Sequence, residues 1–248
     1  MIPGDGANPP GRFRDSYSVW RSSSLGRITD TLEEALVFDA LGPPSGRIVL
    51  DVGCGDAKLS RELARRGAAV TGLDADPGMI AAAGEIAAAC GVPLRLVAGE
   101  AERLPFADAV FDDVVAVTVL CFVRDAGRAL LEMNRVLKPG GRIVIGELGK
   151  WSSWAAYRRI RGWLGNATWR RAQFRTPAEL RRLAHGAGLI DAACRGAIYY
   201  PPFEFAARVL APADRWLGAR TTSGSAFIVL SATKPRGPMS RGEKGIAP

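Results

Sequence analysis

Histidine occurs once in this chain, as His185, and cysteine four times, at Cys54, Cys90, Cys121 and Cys194, with no C-x-x-C spacing. A structural zinc site needs clustered thiolate and imidazole ligands, and a disulfide framework needs dense cysteines, so neither is expected, and no metal site is assigned. Sparse thiols suit a reducing compartment, and the expected location is the cytoplasm. Long hydrophobic runs are missing as well. The longest, Val114 to Val123, is closed by Asp113 and Arg124 and falls short of the roughly 20 residues of a membrane-spanning helix. Met1 to Arg14 is rich in Pro and Gly without an apolar centre, which argues against a signal peptide. With 248 residues the chain can bury one substantial core. The expected organisation is a flexible tail over 1–14, a folded domain over 15–234 and a second flexible tail over 235–248.

The stretch Arg47 to Asp74 organises what is present. Ile48, Val49, Leu50 and Val52 read as a short buried strand closed by Gly53. A helix follows, with Leu59, Leu63 and Ala64 on one face and Arg61, Glu62, Arg65 and Arg66 on the other, until Gly67. Ala69 to Leu73 then forms a second strand ending on Asp74, so strand, Gly-rich turn, helix and strand open a parallel α/β sheet. Gly53 and Gly55 leave bare backbone at a helix N-terminus, where a ligand can lie. Asp74 can accept hydrogen bonds from both hydroxyls of a ribose.

A Gly-rich turn followed about twenty residues later by an acid also describes a dinucleotide-binding unit. Two details favour another ligand. Asp51 stands two residues before the first glycine, where a carboxylate suits an ammonium group better than a pyrophosphate, and Ala57-Lys58 occupy the place of a third glycine. With its D-V-G-C-G turn, the sequence resembles the class I S-adenosylmethionine-dependent methyltransferases. Downstream phrases extend the resemblance. D-A-D-P-G-M-I follows the second strand, G-E-A-E-R-L-P-F the third, Leu94 to Ala98, and L-K-P-G-G-R-I-V-I-G-E-L supplies a turn at Pro139-Gly140-Gly141 and a fifth strand. Together these cover Asp51 to Leu148 and are most similar to the type 11, quinone-biosynthesis-like branch.

The resemblance implies an α/β fold with a Rossmann-like seven-stranded sheet, helices on both faces and an antiparallel seventh strand. It also implies S-adenosyl-L-methionine as cofactor, held by Asp51, Gly53, Cys54, Gly55, Asp74, Ala75, Met79, Glu100, Ala101 and Thr118. Glu100 would meet the adenine amino group, the next backbone N–H a ring nitrogen, and Met79 would wall the adenine. In related enzymes a leading segment folds over this site, which makes Tyr17, Trp20 and Arg27 candidates for ligand contact. Aromatics pinning a terminal helix to the core would read the same way.

Phe111 to Val119 is an almost continuous apolar strand, so the reactive centre is expected beyond its end, near Thr118 to Phe122. T-V-L-C-F stands there in place of the D/N-P-P-aromatic turn of methyltransferases that act on nucleobase amines. No Pro-Cys pair is present, and Cys121 reads as inert core. Nucleic acid is therefore disfavoured as a partner. If a base is required, Glu147 at the end of the fifth strand and Tyr157 are the catalytic candidates, followed by Tyr199 and Tyr200.

Lys150 to Arg182 carries nine basic residues and one acid, Glu179, and so holds +8, the formal net charge of the whole chain. Trp151, Trp154, Tyr157, Ile160 and Leu164 recur at helical spacing with Arg158, Arg159 and Arg161 elsewhere, and Trp163 and Trp169 add aromatic surface. The favoured reading of 150–182 is a lid over an acidic or bulky apolar acceptor. Peripheral membrane contact through 150–175 is its rival. Thr176-Pro177-Ala178-Glu179 is a capping box, and His185 lies near the end of its helix, away from the site. The functional expectation is methyl transfer to a small-molecule acceptor. The alternatives are a NAD(P)-dependent oxidoreductase, for which no Tyr-x-x-x-Lys pair is present, and a non-catalytic cofactor-binding accessory protein at a membrane surface.

Overall fold

The computed structural model describes residues 20–236. The segment 1–14, residues 237–248 of the expected second tail, and Tyr17 lie outside the described residues. Seven strands form one sheet: β1 Ile48–Val52, β2 Ala69–Asp74, β3 Arg95–Ala98, β4 Phe111–Val117, β5 Leu137–Leu148, β6 Ile190–Ala197 and β7 Phe227–Thr233. Their spatial order is β3-β2-β1-β4-β5-β7-β6, with β7 antiparallel to both its neighbours and β1 to β5 parallel throughout. The helices are α1 Ser24–Leu41, α2 Lys58–Arg65, α3 Pro77–Ala89, α4 Ala126–Val136, α5 Ser153–Trp163, α6 Ala167–Arg171, α7 Pro177–Gly186 and α8 Glu204–Gly218.

Alternation along each strand divides the core into two layers. Leu50, Val114, Ile143 and Ile228 face one way, onto Leu130 and Met133 of α4 and Leu180 of α7. Val49, Val115, Val144 and Phe227 face the other, onto Leu36, Val37 and Leu41 of α1, Leu63 of α2 and Ala207 of α8. Strands covered on both faces are read from the sequence as continuous apolar runs, which is why β4 and β5 are legible there. Helix starts follow from side chains as well. The Asp76 carboxylate accepts from the Gly78 N–H at 2.8 Å to open α3, and Thr176 with Glu179 forms both arms of a capping box on α7.

The expected turn at Pro139-Gly140-Gly141 is instead part of a continuous β5. Pairing with β4 jumps from Phe111–Leu137 to Asp113–Arg142, so the intervening residues loop out of register. Pro139 has no N–H to give to the ladder, and Gly140 takes φ +77°, which lets the strand bulge and resume. β4 ends at Val117, two residues earlier than expected, because Thr118 turns away with φ +54°.

The expectation for α5 is overturned in one respect. Trp154 faces inward, its Nε1 donating to the Tyr200 carbonyl at 2.9 Å, but Trp151, Tyr157, Ile160 and Leu164 are exposed, and Arg158 is buried in the inward-facing position. Arg158 can occupy it because its guanidinium lies 5.1 Å from the Trp154 ring centroid and 4.9 Å from that of Trp169, so aromatic faces replace part of its lost hydration.

Candidate functional site

A cavity of about 740 Å3 opens beyond the carboxyl ends of β1, β2 and β4. Its floor is the turn after β1. Gly53 takes φ +70° and Gly55 φ +55°, and the N–H groups of Gly53 and Cys54 both donate to the Leu73 carbonyl. A Cβ on Gly53 would collide with the Val119 side chain, while one on Gly55 would stand 3.6 Å from Met79 Cε. The turn is thus bare backbone pressed between two apolar side chains. Ala57, fully buried, adopts φ +56° at the start of α2, a conformation that costs a residue with a Cβ on the order of 1–2 kcal/mol.

Two carboxylates flank the turn. Asp74 Oδ2 accepts the Gly55 N–H at 2.9 Å and its Oδ1 the Asp76 N–H at 3.0 Å, which fixes the carboxylate while leaving each oxygen a second lone pair. Asp51 is 2 % exposed and accepts from Ser60 Oγ at 2.6 Å. Burial, opposed by the Ser60 hydrogen bond and reinforced by the charges of Asp74 and Asp56, pushes its carboxyl up to about 7. A cation beside Asp51 would relieve that penalty.

The cavity brings together ten of the residues singled out in the sequence. Asp51, Gly53, Cys54, Gly55 and Asp74 line it, as do Ala75, Met79, Glu100, Ala101 and Thr118. Trp20 lines it also, with its ring edge-on to Trp154 at 6.2 Å. Thr118 is β-branched and left-handed, a strained backbone of the kind that concentrates at functional sites. Glu102, which also lines the cavity, accepts the Arg124 N–H on its Oε1 at 2.9 Å.

Other candidates lie elsewhere. Arg27 is exposed, and its guanidinium donates to the Ser22 carbonyl. Tyr157 is 43 % exposed on α5 and accepts from Arg161 at 3.0 Å. Glu147 is fully buried behind the loop that follows β4, where its Oε1 accepts the Leu120 N–H at 2.7 Å and its Oε2 has no partner. Burial pushes Glu147 up to about 7, against the opposing charge of Arg175. None of the three lines the cavity. Tyr199 and Tyr200 also stand outside it. The Tyr199 hydroxyl donates to the Thr221 carbonyl, and the Tyr200 hydroxyl pairs with Thr29 Oγ1 at 3.1 Å.

Sequence reasoning missed the charged wall opposite the turn. Asp30, Glu33 and Glu34 of α1 line the cavity together with Lys58 and Arg158. Lys58 is paired with Asp30 and Glu34, and Arg21 with Asp56 at 3.2 Å and Asp30 at 3.7 Å. The i, i+3, i+4 spacing of the three acids was a visible sign that they share one helix face.

Comparison with known proteins bears on this arrangement. Residues 50–145 match a family described as a methyltransferase domain. The ubiquinone biosynthesis O-methyltransferase of Azorhizobium caulinodans is 32 % identical over 201 residues, covering 78 % of this chain and 79 % of the relative. The demethylmenaquinone methyltransferase of Beutenbergia cavernae is 38 % identical over 133 residues, 54 % of this chain and 53 % of that one. Among solved structures, an S-adenosylmethionine-dependent methyltransferase of Thermotoga maritima superposes with a TM-score of 0.69 at 23 % identity, covering 90 % of this chain and 97 % of its own. Magnesium protoporphyrin IX methyltransferase of Synechocystis, solved with bound S-adenosylhomocysteine, gives 0.65 at 18 % identity, over 90 % and 95 %.

Proposed function

The chain belongs to the S-adenosylmethionine-dependent methyltransferases, and from that premise we propose that it methylates a hydroxyl on a small molecule with a bulky apolar or aromatic body. The observation that carries the finer reading is the composition of the cavity beyond the glycine turn. Trp20, Val37, Leu148 and Trp169 supply apolar surface there, next to the charges of Glu33 and Arg158. The two relatives, one named for ubiquinone biosynthesis and the other for demethylmenaquinone, support an acceptor of quinone type.

The residues around the turn fit the cofactor. Asp51 offers a buried carboxylate to an ammonium group, Asp74 two spare acceptor lone pairs to a ribose diol, and Met79 and Ala101 apolar contact to a base beside Glu100. S-adenosylmethionine supplies a methyl group made electrophilic by its sulfonium. The protein's share of catalysis is alignment and exclusion of water, and holding an acceptor in line can supply about 7–11 kcal/mol. Thr118, Val119 and Leu148, at the ends of β4 and β5, would form the wall against which the acceptor is placed.

A second reading concerns where the acceptor is met. Trp163 is 86 % and Leu164 78 % exposed at the end of the Arg-rich α5, a pairing of aromatic and cationic surface suited to an anionic lipid interface. Among the described residues no helix is long and apolar enough to cross a membrane, so such contact would be peripheral.

Calorimetry with S-adenosylmethionine, S-adenosylhomocysteine and NAD(P), followed by mass spectrometry of a panel of hydroxylated quinols and phenols, tests the function. Binding of both adenosyl ligands and a gain of one methyl group on an acceptor oxygen are expected. Methylation confined to amines or carbon would overturn the hydroxyl assignment.

A further inference from the structure

Three acids of α1 face the cavity, and they are not equivalent. Asp30 and Glu34 are both ion-paired with Lys58, and Asp30 also lies 3.7 Å from Arg21. Glu33, between them in sequence, makes no hydrogen bond or ion pair among the described residues, and it lines the cavity alongside Trp20, Arg158 and Trp169. The groups that act on it come from every element packed around it. Arg158 of α5, Arg21 and Lys58 favour its ionised form, Asp30 disfavours it, and burial outweighs them all, pushing the carboxyl up to about 7.

We propose that Glu33 is the catalytic base of this site, taking the proton of an acidic aromatic hydroxyl on the acceptor whose ring lodges against Trp20 and Trp169. The inference rests on the reading of the cavity as a methyl-transfer centre. A neutral hydroxyl is a weak nucleophile, and the oxygen must shed its proton as the new bond forms. The O–H bond breaks with its electron pair left on oxygen, the proton passes to a Glu33 carboxylate oxygen, and an oxygen lone pair makes the O–CH3 bond. The pair of the broken S–CH3 bond stays on sulfur, which becomes a neutral thioether, and Glu33 then loses its proton to water. An ordinary surface carboxylate is too weak a base for this, whereas one raised towards neutrality is matched to a phenolic proton, whose usual pKa is about 10. Arg158, stacked on Trp154 and Trp169, keeps a positive charge opposite the developing phenolate.

The test uses the full chain with S-adenosylhomocysteine bound and catechol as the probe hydroxyl. Carbon-13 NMR of glutamate carboxyls, in wild type and in Glu33→Gln, is recorded against pH, beside calorimetry of S-adenosylhomocysteine. One resonance titrating near 7 is expected to be present in wild type, absent from the variant and displaced by catechol. Glu147, which titrates in the same range, stays in both spectra. The variant should bind S-adenosylhomocysteine within threefold of wild type, methylate catechol about 100-fold more slowly and lose the fall in rate below neutral pH. The sign is fixed by the base needing to be ionised: wild-type rate is lost as pH drops through about 7. A Glu33 resonance that catechol leaves unmoved overturns the proposal. So does a variant that keeps the wild-type pH profile, or one whose affinity for S-adenosylhomocysteine drops more than tenfold. Failure of the wild-type chain to bind S-adenosylhomocysteine would instead overturn the methyl-transfer reading beneath it.

Discussion

The ammonium of Lys58 lies 2.6 Å from the carboxylate of Glu34, joining the first residue of α2 to α1 across the mouth of the glycine turn. Lys58 stands where the dinucleotide pattern calls for a further glycine, and the ion pair gives that substitution a physical role. With Asp30 as a second partner, and with Arg21 bridging Asp30 and Asp56, it clasps α1 to the turn.

Lys58→Ala should therefore loosen α1. The side chains of Lys58 and Glu34 are 36 % and 27 % exposed, so water screens the pair, and a loss of about 0.5–1 kcal/mol is expected. Thermal melting at low salt should fall by roughly 1–4 °C, and the difference should shrink at 1 M salt. An equal loss at both salt concentrations would count against an ionic clasp.

Asp74→Ala removes the acceptor of the Gly55 and Asp76 N–H groups and the candidate partner of a ribose diol. A weakening of S-adenosylhomocysteine binding by about 100-fold is expected by calorimetry, in keeping with about 1.5–3 kcal/mol for a hydrogen bond to a charged acceptor. Unchanged affinity would move the ribose site elsewhere.

Asp51, raised to about 7 in the free protein, is expected to fall when an ammonium group arrives beside it. Binding at pH 6 should then release a proton, seen as a binding enthalpy that changes with the ionisation heat of the buffer. Asp51→Asn should abolish that dependence.

Glu147 makes a different prediction, for stability. Its folded value of about 7 lies above its ordinary 4.5, so the folded state holds the proton more tightly. The stability contributed by that proton is complete below about 4.5 and is lost as pH rises through about 7, an upper figure on the order of 3 kcal/mol. Melting temperatures of wild type should decline between pH 5 and pH 8, and Glu147→Gln, which keeps an acceptor for the Leu120 N–H, should make the decline shallower, with Asp51 and Glu33 supplying the rest. A variant as pH-sensitive as wild type would place the titration on other groups.

Replacing both Trp163 and Leu164 by Ser tests the lipid reading. Both are well exposed, so folding and S-adenosylhomocysteine binding should survive, while co-sedimentation with phosphatidylglycerol vesicles should drop several-fold. Equal sedimentation of the two proteins would remove this end of α5 from consideration.

Much of the floor of the cavity could be read from the sequence because it is local. Asp51, Gly53, Gly55 and Asp74 fall within one strand-turn-helix-strand unit, and glycines at positive φ mark where backbone must be bare. Of the opposite wall, only the shared helix face of its three acids was legible. Glu33 looks like any acid on an amphipathic helix until α1, α2 and α5, far apart in sequence, converge on it. Arg158 was assigned outward because a helix normally buries its aromatic stripe, and only the Trp154 and Trp169 rings make burial of a guanidinium affordable. The direction of the Glu147 side chain was hidden for a related reason. Strand position placed it at the right end of β5, but pleating alone cannot say that its carboxylate points under the Leu120 loop rather than into the cavity.

The strand order β5-β7-β6 bears on how the chain is made. β6 leaves the ribosome before β7 yet has no place in the sheet until β7 slides between it and β5. During synthesis, β5 therefore offers an open edge and β6 waits unpaired, the state that nascent-chain chaperones cover. A transcript cut short before Phe227 would forfeit both strands at once, so a late nonsense mutation should send the product to proteolysis rather than leave a weakened enzyme.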